Sequence, residues 1–530
     1  MKKYFNILLA VAGLLLFSTS CVKDLDTVPI DPDVISSANV FDDTASYKQN
    51  LAKLYAGLAV SGQTGPSGQP DIAGIDEGFG QYLRGYWYCQ ELTTDEALIG
   101  WNDQTVKNFH YQNWGASDVF ISAMYYRIFY QICATNQFIR ETTPDLLSER
   151  GVTGTLLENV NYYIAEARFL RALSYYHAMD MFANTPFVTE NDPVGAFFPP
   201  QYTRAQLFDY IQSELLAIEP LLVPARQNEY GRADQGAAWM LLAKLYLNAE
   251  VYIGQPKYNE CLTYCNQLIN AGYSLEPTYQ NLFLADNNVN NPEIIFPINF
   301  DGAFTKTWGG TTFIIHAAVG GTMSPADFGI DGGWGGTRTT PELVGKFVDI
   351  SGETDTRAMF YTDGQTLEIE DVGLFTNGYA ITKFKNLTST GAQGSDLTFT
   401  DTDFPLFRLA DVYLMYAEAV LRGGAGGDLS TATNYVNLIR QRAYNGTDGD
   451  ITQSQLNLQF IINERARELY WEGHRRTDLV RFGLFTGNQY VWSWKGEVQN
   501  GIGTDSKFNI FPIPSSDINA NQNLQQNPGY

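Results

Sequence analysis

The sequence predicts a mainly helical fold: a stack of helix pairs, interrupted by long irregular loop regions with short strands that carry the ligand site. Three features point to it. Apolar residues recur at steps of three and four in several separate stretches. Those stretches come in pairs joined by short turns containing Gly or Pro. Gly and aromatic residues concentrate in two regions where the helical period fails. The 530 residues, 44% of them hydrophobic, are enough for a large core.

At the N-terminus, Lys2 and Lys3 precede a short apolar run over 7–17, followed by Ser18, Thr19, Ser20 and Cys21. A run this short reads as a signal segment rather than a spanning helix. Small residues before a cysteine resemble a lipoprotein cleavage site. Residues 1–20 are therefore read as a signal peptide and Cys21 as the acylated first residue of the mature chain, although Ser18 departs from the aliphatic residue usual there. Asp24 and Asp26 resemble the acidic signal that sends such lipoproteins to the cell surface. Residues 21–40, with Pro29, Pro32 and several Asp, form the lipid anchor and an extended tether. Residues 41–530 are expected to form one domain.

Within that domain, Ala165, Phe169, Ala172, Tyr176 and Met179 mark one face of a helix over 161–182. A second follows Thr203 over 204–219. Another pair lies at 233–251 and 257–271, the second opening after Gly254 and Pro256. Leu406, Leu409, Tyr413, Tyr416 and Val420 mark a helix that 423–427 ends, with a partner at 430–444. Residues 455–487 add a long charged helix and a shorter one. Tyr125, Tyr126, Phe129 and Tyr130 read as helix packing. Repeated pairs of this size suggest a tetratricopeptide-like stack, without the strict repeat consensus. The irregular regions are 61–115 and 273–400. Long loops on a rigid scaffold are where binding sites are commonly built.

Composition narrows the function. With 34 Lys+Arg against 58 Asp+Glu, the net charge is −24. This opposes binding to nucleic acid, whose affinity comes largely from cations neutralising phosphates. It suits a water-exposed body and neutral ligands. The four histidines (His110, His177, His316 and His474) show no metal or triad motif. Glu468, Glu472, His474 and Asp478 cluster in one charged stretch, but mixed charges along a helix more often form solvated or interlocking ion pairs. Cys261 and Cys265, four apart, read as buried thiols on a helix. No cofactor is expected. Structural calcium is open at Asp286-Asn287-Asn288 and at the turn of Asp428, where oxygen ligands would suit it.

Trp101, Trp308 and Trp334 all lie in the irregular regions, the last two beside glycines that leave an aromatic face uncovered. Flat exposed rings suit the apolar C–H face of a sugar, while Asp, Asn, Arg or Lys would bind its hydroxyl rim.

Several motifs carry a resemblance. They include Ala165-Glu166-Ala167-Arg168-Phe169-Leu170-Arg171-Ala172-Leu173, and Arg408-Leu409-Ala410-Asp411 running on to Tyr416-Ala417-Glu418-Ala419. Glu464-Arg465-Ala466-Arg467-Glu468-Leu469-Tyr470 follows, then Gly473-His474-Arg475-Arg476 and Asp478-Leu479-Val480-Arg481. The chain ends on Asn527-Pro528-Gly529-Tyr530. Together they resemble the SusD/RagB family, which commonly has Gly where this chain has Ala183. The chain is most similar to its starch-binding members, through residues 74–78, 91–96, 231–234 and 492–496. The resemblance implies a tetratricopeptide-like fold, a lipid anchor on the outer face of the outer membrane, no catalysis, and a SusC-like TonB-dependent transporter as partner. It implies that starch or malto-oligosaccharide (α-1,4-glucan) is the ligand. Trp101, Trp308 and Trp334 match the family's aromatic arc, and Asp76 and Arg84 its polar contacts. Ile99 stands where another Trp is expected, and Gln104 where Asn is expected. The alternatives are another glycan, a surface glycoside hydrolase, or a helical scaffold for protein or peptide.

Overall fold

A computed structural model describes residues 40–530 except 42, 69 and 196. The signal peptide, Cys21 and nearly all of the tether lie outside the described residues. The principal helices are α1 (Thr44–Ala59), α2 (Tyr82–Trp87), α3 (Val119–Glu141), α4 (Gly154–Phe182), α5 (Arg204–Ile218), α6 (Gln235–Leu247), α7 (Tyr258–Asn270), α8 (Gly310–Ala318), α9 (Leu409–Leu421), α10 (Leu429–Ala443), α11 (Leu458–Leu469) and α12 (Arg475–Arg481). They stack as the pairing predicts. α3 packs on α4, α4 on α5, α6 on α7, α7 on α9 and α9 on α10, while α1 lies across α4. No helix among the described residues is long and apolar enough to cross a membrane.

Local chemistry sets the helix ends. The Thr203 hydroxyl accepts from Gln206 N and the Gln206 side chain accepts from Thr203 N, a capping box that opens α5. Asp234, Asp428 and Asn457 cap α6, α10 and α11 by accepting from backbone N–H groups. The predicted face of α4 is buried along its length, from Ala165 through Phe169, Ala172 and Tyr176 to Met179. α4 ends at Ala183, whose φ of 58° lies in the left-handed region that favours glycine. This is the place where family members commonly carry Gly.

One expectation needs correction. Leu406 is not helical; it sits in a buried strand that precedes α9. The charged stretch 455–487 holds the longer and the shorter helix expected, α11 and α12, divided where Trp471 and Gly473 take φ of 65° and 81°. Two of the carboxylates considered for calcium make hydrogen bonds within the fold. Asp286 accepts from the backbone N (2.8 Å) and hydroxyl (2.6 Å) of Ser389, and Asp428 accepts from Thr431 as the cap of α10. Cys261 and Cys265 are free and buried on α7.

Eight short strands pair antiparallel in twos: β1 (Leu98–Ile99) with β5 (Thr337–Arg338), β2 (Thr185–Pro186) with β3 (Gln201–Tyr202), β4 (Ile294–Ile298) with β8 (Phe404–Arg408), and β6 (Phe360–Tyr361) with β7 (Ala380–Ile381). β4 and β8 lie side by side, so residues 299–403 leave the helical stack and return to the same place. β1–β5 joins the first irregular region to this excursion.

Beneath that return point lies a buried ion network. Arg408 Nη1 donates to Glu293 (2.8 Å) and Glu468 (2.6 Å), and its Nε donates to Glu472 (2.6 Å). Arg442 donates to Glu293 and Glu468, and Arg357 to Glu464 and Glu468. Lys383 Nζ donates to Glu472 at 2.6 Å. All of these side chains are buried. Burial alone would raise the Glu468 carboxyl, but Arg442, Arg408 and Arg357 overcome it and hold it down at about 2. The charged stretch is therefore interlocked rather than solvated.

Breaking a buried pair by removing one partner strands the other charge. Glu468→Ala should cost roughly 3–5 kcal/mol of unfolding free energy, measured as a fall in the urea midpoint. Acid acts on the same carboxylate. An unfolded Glu titrates near about 4.3, so this stabilisation is fully present above that pH and drains away as the pH falls toward 2. A midpoint equal at neutral pH and about pH 3 would contradict it.

Candidate functional site

One buried side chain joins the elements that build the site. Gln81, the cap of α2, accepts at Oε1 from Arg84 N (2.7 Å) and Gly310 N (2.9 Å), and donates from Nε2 to Leu58 O (2.7 Å). The end of α1 and the starts of α2 and α8 are thereby held together. Gly309 and Gly310 permit this approach: a Cβ on Gly309 would lie 2.5 Å from Gln81 Cβ, and one on Gly310 would lie 2.2 Å from the Phe300 ring. Trp308 stands immediately before this junction.

Trp334 is placed from the other end of α8. Trp334 N donates to His316 O, Gly335 N to Val319 O and Gly336 N to Ala317 O, each at 2.8 Å. Thr337 then enters β5 opposite Ile99 of β1. Trp101, two residues past Ile99, is brought against this segment. Its Nε1 donates to Trp334 O (3.2 Å), and its ring lies where a Cβ on Gly336 would be, 2.5 Å from Cε2.

The three tryptophans form one continuous series. Trp101 and Trp334 have ring centroids 6.3 Å apart at 45°, and Trp334 and Trp308 are 6.1 Å apart at 57°. Each is half-buried and packed from behind: Trp101 on Phe313, Trp334 stacked on His316 (4.8 Å, 24°) and Trp308 on Phe399. Burial pushes the His316 pKa down, so a neutral ring backs Trp334. All three line one open cleft of about 770 Å³. Rings tilted in sequence around a common hollow make a curved apolar wall.

Polar groups frame the wall. Arg84 donates from Nε to Tyr88 Oη (3.0 Å) and from Nη1 to Trp308 O (2.9 Å), and its guanidinium lies over the Phe313 and Trp101 rings. Asp76 Oδ1 accepts from Gly78 N (2.8 Å) and Phe79 N (3.1 Å), which fixes an exposed carboxylate at the edge. The structure thus brings Asp76, Arg84, Trp101, Trp308 and Trp334 together. Gln104 is not brought in: it is exposed, takes φ of 38°, and does not line the cleft. Ile99, where a further Trp was expected, is fully buried in β1, and an aromatic platform there would not face a ligand. Sequence reasoning missed Glu77, Asn102 and Asp103, which also line the cleft. Their adjacency to Asp76 and Trp101 was the available signal.

Fold and cleft together define a helical-repeat protein that presents a curved aromatic surface on inserted loops. The chain belongs to the SusD family. The SusD family profile matches residues 353–530. The starch-binding protein SusD of Bacteroides thetaiotaomicron is 37% identical over 578 aligned positions, spanning 100% of this chain and 99% of that one. SusD-like protein P2 of Formosa agariphila is 26% identical, spanning 73% of this chain and 78% of that protein. Among solved structures, surface glycan-binding protein A from Bacteroides thetaiotaomicron in complex with laminarihexaose shares the fold. Its TM-score is 0.68 at 21% identity, covering 91% of this chain and 98% of that one.

The contact between Trp101 and residue 336 is testable without a ligand. A Cβ on Gly336 must displace a rigid ring, so Gly336→Ala should destabilise the protein by about 1–3 kcal/mol and shift its tryptophan emission. Wild-type stability and emission would show that the ring is not seated as described.

Proposed function

We propose that the protein binds starch and malto-oligosaccharides at the cell surface without turning them over, and passes them to a TonB-dependent outer-membrane transporter of the SusC kind. The observation that carries this reading is the tilted series Trp101–Trp334–Trp308 in one open cleft. An α-1,4-glucan coils, and its curved run of sugar faces can touch all three rings at once. A β-1,4-glucan is straight and cannot. Asp76 and Arg84 stand where hydroxyls would meet them. The full-length similarity to a starch-binding relative supports the same ligand.

Absence of turnover is supported by where the perturbed carboxyls lie. Burial pushes Glu91, Asp234 and Asp403 up, as a general acid would require, yet none of them lines the cleft. The acidic residues that do line it form part of an open polar rim.

Burying a large aromatic face contributes roughly 1.5–3 kcal/mol. Trp101→Ala and Trp308→Ala should therefore each weaken maltoheptaose binding by about tenfold or more, read by calorimetry. A cyclic maltooligosaccharide should bind at least as well as the linear one, since it loses less conformational freedom. Cello-oligosaccharides should bind poorly, and long incubation should leave maltoheptaose intact. Folded Trp variants that bind like wild type would exclude this cleft as the site.

Placement and partner rest on Cys21 and on the family. Cys21→Ser should release the protein from the membrane, and wild-type protein should be reached by antibody on intact cells. Gentle detergent extraction of the tagged wild type should recover a large β-barrel protein in comparable yield. Recovery of this chain alone would count against the partner.

A further inference from the structure

The cleft has a charge as well as a shape. Four ionisable side chains line it: Asp76, Glu77, Asp103 and Arg84. Arg84 and Asp76 are neighbours. A Cβ on Gly78 would touch both, 3.0 Å from Asp76 Oδ1 and 3.3 Å from Arg84 Nη1. The Arg84 guanidinium is also occupied, donating to Tyr88 and Trp308 and lying on two rings. Asp76 sets one negative charge near that positive one without a direct ion pair. Neither the Glu77 nor the Asp103 side chain makes a hydrogen bond or ion pair to a described residue. Of the nearby cations, Lys107 donates to Asn102 Oδ1 (2.6 Å) and adds one positive charge at the rim, while Lys306 pairs with Asp396 (3.4 Å), so the three carboxylates still outnumber Arg84 and Lys107. Burial pushes the pKa of His316 behind Trp334 down, which favours its uncharged form.

We infer that Glu77 and Asp103 make the cleft selective against anionic glucans, so that it accepts neutral chains and rejects the same curved chain carrying carboxylate or phosphate at C6. This rests on the cleft being the glucan site. An aromatic wall alone could not make the distinction: a C6 substituent leaves the C–H faces of the ring unchanged, and stacking barely senses it. Two unpaired carboxylates at the opening sense it directly. The cleft is open, so the repulsion acts through solvent and is sensitive to salt. The net charge of −24 acts in the same direction at longer range. The relevant ligand difference is small but real chemistry, since a glucan polymer with scattered phosphate esters presents both kinds of segment to one site.

The test compares maltoheptaose with maltoheptaose oxidised to carboxylate at C6, using wild-type protein and the Glu77→Gln/Asp103→Asn double variant, at two salt concentrations. Wild type should bind the neutral chain at least about tenfold more tightly at 0.05 M salt, where screening is weak. The ratio should shrink severalfold near 1 M salt, where the screening length is about 3 Å. In the double variant the ratio at low salt should fall at least about threefold, whatever the absolute affinities. Equal binding of the two chains by wild type overturns the inference and leaves the cleft assignment standing. So does a preference that neither salt nor the double substitution changes, which would make the discrimination steric. Binding of neither chain overturns both readings.

Discussion

The structure depends on a set of buried charges that no solvent reaches. Glu468 accepts from Arg408, Arg442 and Arg357, while Glu472 accepts from Arg408 and Lys383. These side chains come from β8, α10, α11, the turn after α11, and two points in the long excursion. Desolvating so many ions is costly unless every partner is present, so the network forms only when all of those segments have arrived. It therefore fixes where 299–403 leaves and rejoins the scaffold. Apolar packing could hold those segments near one another, but it would accept small slips; forked guanidinium–carboxylate bonds are directional and do not.

From that fixed point the path to the cleft is short. β4 and β8 clamp the base of the excursion, β1–β5 ties its middle to the first irregular region, and Gln81 ties its beginning to α1 and α2. Trp101, Trp334 and Trp308 each stand within three residues of one of these ties. Rings set this close to fixed backbone have little freedom left to lose when a ligand arrives.

The helical part of this arrangement was legible in the sequence because its signal is local. The period of α4, Thr203 at the start of α5, and the Gly/Pro punctuation each report on a few neighbouring residues. The family motifs were legible too, and the structure gives them a physical meaning. Arg408, Asp411, Glu418, Glu464, Arg465, Glu468 and Arg481 are members of buried ion pairs, and Asn527 donates to the carbonyls of Phe182 and Phe511 to bind the C-terminus to the end of α4. What periodicity could not supply was non-local. Two-residue strands such as β1 and β5 leave no period to detect. The burial of Ile99 follows from a partner some 240 positions away in sequence. Asn102 and Asp103 were overlooked for the opposite reason: exposed polar residues look alike in any sequence, and only the cleft distinguishes them.

The excursion between β4 and β8 begins and ends at adjacent strands. A loop whose ends are pinned together can lengthen, shorten or change composition at slight entropic cost to the body that carries it, because closure entropy grows only with the logarithm of its length. Its interior therefore answers to a different selective pressure from its base. Substitutions around Trp308 and Trp334 would reshape the cleft and leave the scaffold standing, whereas substitutions in the charged base would strand a buried charge and strike the fold itself.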